Sequence, residues 1–440
     1  MTDGSLQLND INTFAADFAE DPVARLAANA VANNSIDQVA LDRNIVTTID
    51  PSMSNQLDTW SVNNQKHSGR CWLFATCNLL KSYLIPELGA APDFELSQSF
   101  LHFYDKLEKA NWFANAIIET ADRDLDDRTI ARLLADPIGD GGQWDMVAAL
   151  IKKYGIAPKY AMPETESSSN TGCMNRTLST LLRRGARDLR KAAAEGKAEE
   201  ARLELMKQVY RVLVIHLGTP PTEFCVQYRD KDKQFHRLGT FSPLEFANKY
   251  IRIDVDEQVC VVNDPRHEYG RVLTVEYLGN VVGGQPIRYL NAEPAVLKEL
   301  VKTRIVDGHA VWFGCDVSKQ FERKAGLWDA KLFDYEGAYG IDLGMTKAEQ
   351  MEYGESSLTH AMLFTGVDIT DAGEIRRFRV ENSWGDDRSD TGFDTMNESW
   401  FDEHVFEVVV PASSLTDELR AALTTDPIKL PLWDPMGSLA

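Results

Sequence analysis

The sequence predicts an α+β fold: a helical layer formed largely by the first half of the chain, and an antiparallel β layer formed by the second. Three observations predict it. Apolar residues recur at helical spacing early on, as in Leu73, Cys77, Leu80 and Leu84 and again in Leu178, Leu181, Leu182 and Leu189. From residue 259 onward the pattern changes to short runs rich in β-branched and aromatic residues. Helical and strand patterns are segregated along the chain rather than alternating, so two layers are expected with a cleft between them.

Taken in order, residues 9–50 carry a helical pattern around Phe14, Phe18 and residues 23–26, followed by a turn-rich Asn33-Asn34-Ser35. A loop then leads to Cys71, whose helix has an apolar stripe that stops before Pro86. Residues 96–107 suggest a second helix and residues 111–135 a third, its acidic face solvated. Gly139-Asp140-Gly141-Gly142-Gln143-Trp144 interrupts this region with adjacent glycines, which permit a tight turn or the close approach of another backbone. Residues 175–216 read as two helices parted near Gly196, and residues 222–240 as a hairpin around Asp230-Lys231-Asp232-Lys233. Short strands follow at 259–262, 273–277 and 286–290, then a short helix at 294–301 with Pro294 in its first turn. Residues 310–315 have the pattern of a buried strand, His360 and Asn382 follow or open strand-like runs, and 405–410 is the last strand. The chain has no internal repeat.

Composition bounds the function. The 440 residues are 44% hydrophobic and 26% charged, ordinary for a globular protein. A formal net charge of −21 repels phosphate backbones and anionic lipid, which makes nucleic acid a poor partner. One basic cluster stands out, Arg183, Arg184, Arg187, Arg190 and Lys191; such a run is usually a solvated helix face, with an interaction surface as the alternative. The first ten residues lack a basic segment and an apolar core, so no secretory signal is expected. No run approaches the roughly 20 apolar residues of a membrane span. Six cysteines spread without C-x-x-C pairs argue for free thiols in a reducing, cytoplasmic setting and against disulfides or zinc. No metal or cofactor is expected.

Chemistry concentrates in Gln65-Lys66-His67-Ser68-Gly69-Arg70-Cys71-Trp72. A cysteine in a helix's first turn meets unpaired backbone N–H groups and the positive end of the macrodipole. Both favour thiolate, so the Cys71 pKa is expected below the ordinary value of about 8.5. Gln65, six residues upstream, can set a side-chain amide beside the Cys71 backbone N–H, and the pair would form an oxyanion hole. Downstream, Thr359-His360-Ala361-Met362 offers a base and Glu381-Asn382-Ser383-Trp384-Gly385 an orienting amide. Each piece alone has a bland reading: a Cys-Trp pair in the core, a structural histidine, a turn at Asn-Ser-Trp-Gly. Together, in the order Cys, His, Asn, they form the constellation of a thiol hydrolase.

At these places the sequence resembles the papain-like cysteine peptidases, with Gln65, Cys71, His360 and Asn382 matching the catalytic motif residue by residue. The resemblance places Gly141 and Gly142 on the cleft wall, pairing with the substrate backbone. Cys71 and His360 stand much further apart than the roughly 130–150 residues of papain and cathepsins, so large insertions are expected between them. Asp140-Gly141-Gly142-Gln143-Trp144-Asp145-Met146, Trp312-Phe313-Gly314-Cys315-Asp316-Val317, Tyr353-Gly354-Glu355-Ser356 and the tail Leu432-Trp433-Asp434-Pro435-Met436-Gly437-Ser438-Leu439-Ala440 resemble the bleomycin hydrolase and bacterial aminopeptidase C branch.

That resemblance implies a papain-like core with helical and strand insertions, a homohexamer whose active sites face a central channel, and a carboxy-terminal arm in the cleft. It implies a cytosolic cysteine aminopeptidase acting on peptides with free amino termini, with bleomycin hydrolase-like activity besides. The Ala440 α-carboxylate would receive the substrate's α-ammonium. One peptidase unit over 1–440 would then divide into an amino-terminal extension (1–64), a nucleophile-bearing helical part (65–160), insertions (161–300), a β-rich part with His360 and Asn382 (301–425) and the arm (426–440). The competing reading is a nucleic-acid-binding or chaperone-like assembly with an inert cleft, which the intact quartet disfavours.

Overall fold

Segregated helical and strand patterns become packed layers in the structure, a computed structural model that describes residues 4–57 and 60–439. The chain opens with α1 (Leu8–Glu20), α2 (Pro22–Val31), α3 (Ile36–Ala40) and α4 (Arg43–Thr48). Asp21 starts α2 by accepting the Val23 and Ala24 N–H groups, with Pro22 in the first turn where a missing N–H costs nothing. Neither α1 nor α2 buries a residue: Leu8, Ile11, Phe14, Phe18, Val23 and Leu26 all face out.

A short strand β1 (Asn55–Gln56) precedes the helical layer of α5 (Cys71–Leu88), α6 (Gln98–Glu119), α7 (Arg128–Ala135), α8 (Trp144–Tyr154), α9 (Glu166–Ser169), α10 (Gly172–Ala194) and α11 (Ala198–Leu217). The first ten residues of α5 are all buried, as expected of a helix enclosed on every side. It runs through Pro86 instead of stopping before it. Pro86 sits in the last turn, where the one backbone bond it removes matters least, and the stop comes from Gly89 at φ 61°. The second and third helices expected from the sequence also divide differently. α6 absorbs residues 111–119, and the break falls in the acid-rich 120–127, where Asp127 accepts the Thr129 and Ile130 N–H groups to start α7. α10 and α11 part at Gly196, whose φ of 72° suits glycine.

The hairpin β2 (Phe224–Arg229) and β3 (Phe235–Phe241) stands apart from the main sheet and leads to α12 (Pro243–Tyr250). The remaining elements are β4 (Gln258–Val262), β5 (Val272–Val275), β6 (Tyr289–Asn291), α13 (Pro294–Val306), β7 (Val311–Cys315), β8 (Phe321–Glu322), β9 (Leu327–Trp328), α14 (Tyr335–Tyr339), α15 (Lys347–Glu352), β10 (His360–Ile369), β11 (Ile375–Glu381), β12 (Phe393–Asn397), α16 (Glu398–His404), β13 (Val405–Pro411), α17 (Asp417–Ala422) and β14 (Ile428–Leu430). Among the described residues, twelve strands form one sheet in the order β14-β5-β6-β4-β13-β7-β10-β11-β12-β9-β8, with β1 also on β10. Its centre, β13-β7-β10-β11-β12, is antiparallel throughout, while β14 on β5, β4 on β6 and β12 on β9 are parallel.

Strand alternation divides the core. Trp312, Ala361 and Leu363 face the helical layer and join Trp72, Leu80, Phe100 and Trp144. Phe313, Met362 and Phe364 face the other way and join Leu297, Val301, Trp400 and Phe401 of α13 and α16. The sheet is therefore covered on both sides, and α5 lies against β7 and β10. Strands β4, β5 and β6, from residues 161–300, belong to this central sheet.

Candidate active site

The site forms where the start of α5 meets the start of β10. Cys71 is the first residue of α5, and the backbone N–H groups of Ala361, Trp72 and Cys71 itself favour its thiolate. Ala361 is the neighbour of His360 on β10, so the thiol is held beside that strand's first turn of chain. The His360 Nε2 atom lies 3.1 Å from Asn382 Oδ1. Because Asn382 Oδ1 also accepts the Ser383 N–H at 2.8 Å, the oxygen end of its amide faces the imidazole. Nε2–H is then the donor, and Nδ1 is the ring nitrogen left for proton transfer. Trp384 packs against the imidazole with ring centroids 5.0 Å apart and the planes tilted by 31°.

Gln65 enters the same cluster from the preceding loop. Its backbone N–H donates to Ser383 O at 2.8 Å, which ties the loop to the residue after Asn382. Its side chain is fixed at both ends: Ser383 Oγ donates to Oε1 at 2.6 Å and Nε2 donates to Ser68 O at 2.5 Å. An amide so held cannot flip, and one Nε2 hydrogen remains for a further acceptor.

Burial changes the electrostatics expected from the sequence. It pushes the Cys71 thiol up to about 11, against the three N–H groups that favour thiolate, so the expected depression below 8.5 is not found for the thiol by itself. The helix terminus acts as expected, but loss of water around a fully enclosed sulfur outweighs it. Burial likewise pushes the His360 imidazole down to about 4, opposed by its bond to Asn382 and assisted by the Arg323 and Arg388 charges.

Gly142 has a packing reason of its own. A Cβ there would come within 2.6 Å of the Trp72 ring, whose Nε1–H donates to Asp140 O at 2.8 Å. Gly142→Ala should therefore destabilise the fold by about 1–3 kcal/mol, the usual cost of forced overpacking. Urea unfolding of the variant checks this, and an unchanged midpoint would show that the Trp72 ring can give way. Gly141 beside it is half-buried, with its carbonyl accepting from Lys109. Ala440 lies outside the described residues, but the tail before it can be followed to Leu439. Ser438 Oγ donates to Leu358 O at 2.9 Å, two residues before His360, and Leu439 is 4% exposed.

Sequence reasoning missed the group behind Asn382. Asp394 on β12 accepts the Asn382 Nδ2–H at 3.3 Å and is held by Arg388 and Ser389. Nothing in the run Gly392-Phe393-Asp394-Thr395 marks this aspartate, because only the pairing of β11 with β12 brings it there. Two members of the basic cluster of α10 serve structure: Arg183 donates to Leu134 O and Ala135 O at the end of α7, and Arg190 to Thr120 O at the end of α6, while Arg187 and Lys191 stay exposed. Among the described residues no helix is long and apolar enough to cross a membrane.

With this geometry in place, likeness to known proteins is informative. The family model described as the Peptidase C1-like family matches residues 5–437. The chain is 42% identical over 438 residues to aminopeptidase C of Listeria innocua, covering 99% of both. It is 39% identical over 455 residues to bleomycin hydrolase of Homo sapiens, covering 100% of both. The crystal structure of PepW from Lactobacillus rhamnosis superposes with a TM-score of 0.97 at 40% identity, over 99% of this chain and 100% of that one.

Proposed function

The chain belongs to the Peptidase C1-like family and is a cysteine aminopeptidase, and we propose that Cys71, His360, Asn382 and Gln65 carry its chemistry. The observation that carries this reading is the convergence of a helix-terminal thiol, an imidazole oriented by an amide, and a second amide fixed at both ends. The Cys71 Sγ–H proton passes to His360 Nδ1 as sulfur attacks the carbonyl carbon of the first peptide bond. The tetrahedral oxyanion is held by the free Gln65 Nε2 hydrogen and the Cys71 N–H. His360 returns the proton to the leaving amine as the C–N bond breaks. Water, deprotonated by His360, then opens the thioester and releases the acid. Burial opposes each charge separately, so thiolate and imidazolium form as a pair whose mutual attraction offsets the lost hydration.

Exopeptidase action is assigned to the arm. Its support is a chain of anchors: β14 beside β5, Asp434 on Arg266 at 2.9 Å, Tyr289 Oη to Met436 O at 3.2 Å and Ser438 on Leu358. Ala440 would then offer its carboxylate to a substrate α-ammonium, with Gly141 and Gly142 on the cleft wall. Bleomycin is included as a substrate on the strength of the 39% identical human relative's name. The test compares fluorogenic aminoacyl substrates with free and blocked amino groups. The free form should be preferred by about 10-fold to 150-fold, the worth of a charge-assisted hydrogen bond of roughly 1.5–3 kcal/mol. Equal rates would remove the exopeptidase reading.

The assembly is assigned as a cytoplasmic homohexamer of the one peptidase unit, with residues 1–64 as an extension and 161–300 as insertions. Its support is the bare apolar surface of α1 and α2, where Leu8, Phe14, Phe18 and Leu26 are each more than half exposed, as at protein interfaces. Light scattering should report six copies of the 49.3 kDa chain, and a stable, active monomer would overturn the assignment.

A further inference from the structure

We infer that Asp394 is a positioning residue for this reaction: its carboxylate holds the Asn382 amide in the one orientation that serves His360 and balances the Arg388 charge beside the imidazole. The inference rests on the reading of Cys71, His360 and Asn382 given above.

The orientation argument is one of donors and acceptors. A carboxylate only accepts, so it can face only the NH₂ end of an amide. With Asn382 Nδ2 donating to Asp394 Oδ2 at 3.3 Å, Oδ1 is left for His360 Nε2 at 3.1 Å. A flipped amide would set oxygen against carboxylate and NH₂ against the imidazole N–H, losing both bonds. That fixes Nε2 as the protonated nitrogen and Nδ1 as the base.

The charge argument concerns what surrounds the imidazole. Cys71 approaches from α5, Cys315 lies opposite His360 on β7, Asn382 faces it from the end of β11, and Arg323 and Arg388 come from the loops flanking β9 and β12. Arg388 packs over Trp384 with its guanidinium carbon 5.1 Å from the ring centre, and Arg323 at 5.5 Å. Both cations disfavour imidazolium. Asp394 binds Arg388 Nη2 through both oxygens, at 2.8 and 2.6 Å, and so places a negative charge against one of the two cations.

The surroundings are built to hold this carboxylate. Its side chain is fully buried, Ser389 Oγ donates to Oδ1 at 2.6 Å, and a side chain at position 326 would come within 2.4 Å of Oδ1. The loop that delivers Arg388 and Ser389 holds two non-glycine residues in the left-handed region, Ser389 at φ 53° and Thr391 at φ 52°. Such backbone persists only where its surroundings determine it, and a β-branched residue there is unusual.

The test uses the full chain carrying Asp394→Asn, Asp394→Ala and the double change Arg388→Gln with Asp394→Asn. Two pH profiles are measured: kcat/KM on a free-amine aminoacyl substrate, and the rate of Cys71 alkylation by iodoacetamide, the latter with the exposed Cys173 replaced by serine. In Asp394→Asn an acceptor remains but Arg388 is uncompensated. An added positive field lowers the pKa of both the imidazolium and the thiol, so the alkaline limb of kcat/KM and the rise of the alkylation rate with pH should each move down by about one unit. The double change should return both toward the parent. Asp394→Ala also removes the acceptor of the Asn382 Nδ2–H, leaving the Ser383 N–H to orient the amide, and should lower kcat at least about 10-fold, with KM little altered. If the alkylation profile of Asp394→Asn is unshifted, or shifted without relief in the double variant, Asp394 is a structural element only. Alkylation needs no peptide, so a chain that alkylates as expected but cleaves nothing would count against the peptidase reading and not against this one. Should Asp394→Ala fail to fold, the isosteric Asp394→Asn decides.

Discussion

Cys71→Ala should reduce kcat/KM by on the order of 10⁵-fold and leave the fold standing. Without sulfur no acyl-enzyme can form, and only binding and the oxyanion hole act on the substrate. The structural cost is small for two reasons. Alanine is the best helix former at the first position of α5, and a buried thiol pushed up to about 11 is neutral when unpaired, so its removal strands no charge. A void the size of one sulfur costs about 1 kcal/mol. His360→Ala should be nearly as severe. With the base gone, a thiol at about 11 is ionised in roughly one molecule in 10⁴ at neutral pH. Asn382→Ala keeps the base and loses one hydrogen bond to its charged form, so a loss of about 10-fold to 150-fold is expected. Steady-state kinetics with thermal unfolding of each variant separates these effects. Turnover by Cys71→Ala at the parent rate would end the mechanism.

The proposed quartet of Cys71, His360, Asn382 and Gln65 could be nominated from sequence because the chemistry assigned to it restricts residue type and order: nucleophile, base, orienter and oxyanion donor have few substitutes. The layers were legible from period alone, since a switch from helical spacing to short β-branched runs needs no tertiary information. What the sequence withheld depends on enclosure. The helix terminus at Cys71 correctly signals a pull toward thiolate, yet whether that pull wins is set by how completely the sulfur is shut from water. Pro86 signals a helix end, but a proline in the last turn removes a bond the helix can spare. The joining of residues 98 to 119 into one helix likewise follows from packing that buries Phe103, Ala110, Phe113 and Ala114 in a continuous face. Asp394 could not be seen beforehand at all. It comes beside Asn382 only through the pairing of Val380 with Asp394 across β11 and β12.

Deleting residues 437–440 should turn an enzyme that trims free amino termini into one that also cuts blocked and internal bonds. The tail is not anchored by its tip alone. Asp434 is held by Arg266 at 2.9 Å, Trp433 lies under Arg128 at 3.8 Å, and Met436 is fully buried. Truncation after Met436 keeps all three, so folding and the course of the arm should survive while the segment beside Leu358 is lost. A terminal segment usually frays and does nothing, which would leave specificity untouched. Burial of Leu439 and the bond from Ser438 to Leu358 weigh against fraying here. Removing the tip takes away both the carboxylate that would bind a substrate's α-ammonium and the obstruction to longer substrates. Cleavage of free-amine substrates should fall by about 10-fold to 150-fold, as for loss of one charge-assisted hydrogen bond, while blocked substrates become cleavable. A full-length chain amidated at Ala440 by peptide ligation keeps the obstruction and loses only the charge. It should lose aminopeptidase activity without gaining endopeptidase activity. If the truncated chain keeps the parent's preference for free amino termini, the arm is not the anchor, and exopeptidase specificity must come from groups in the cleft wall.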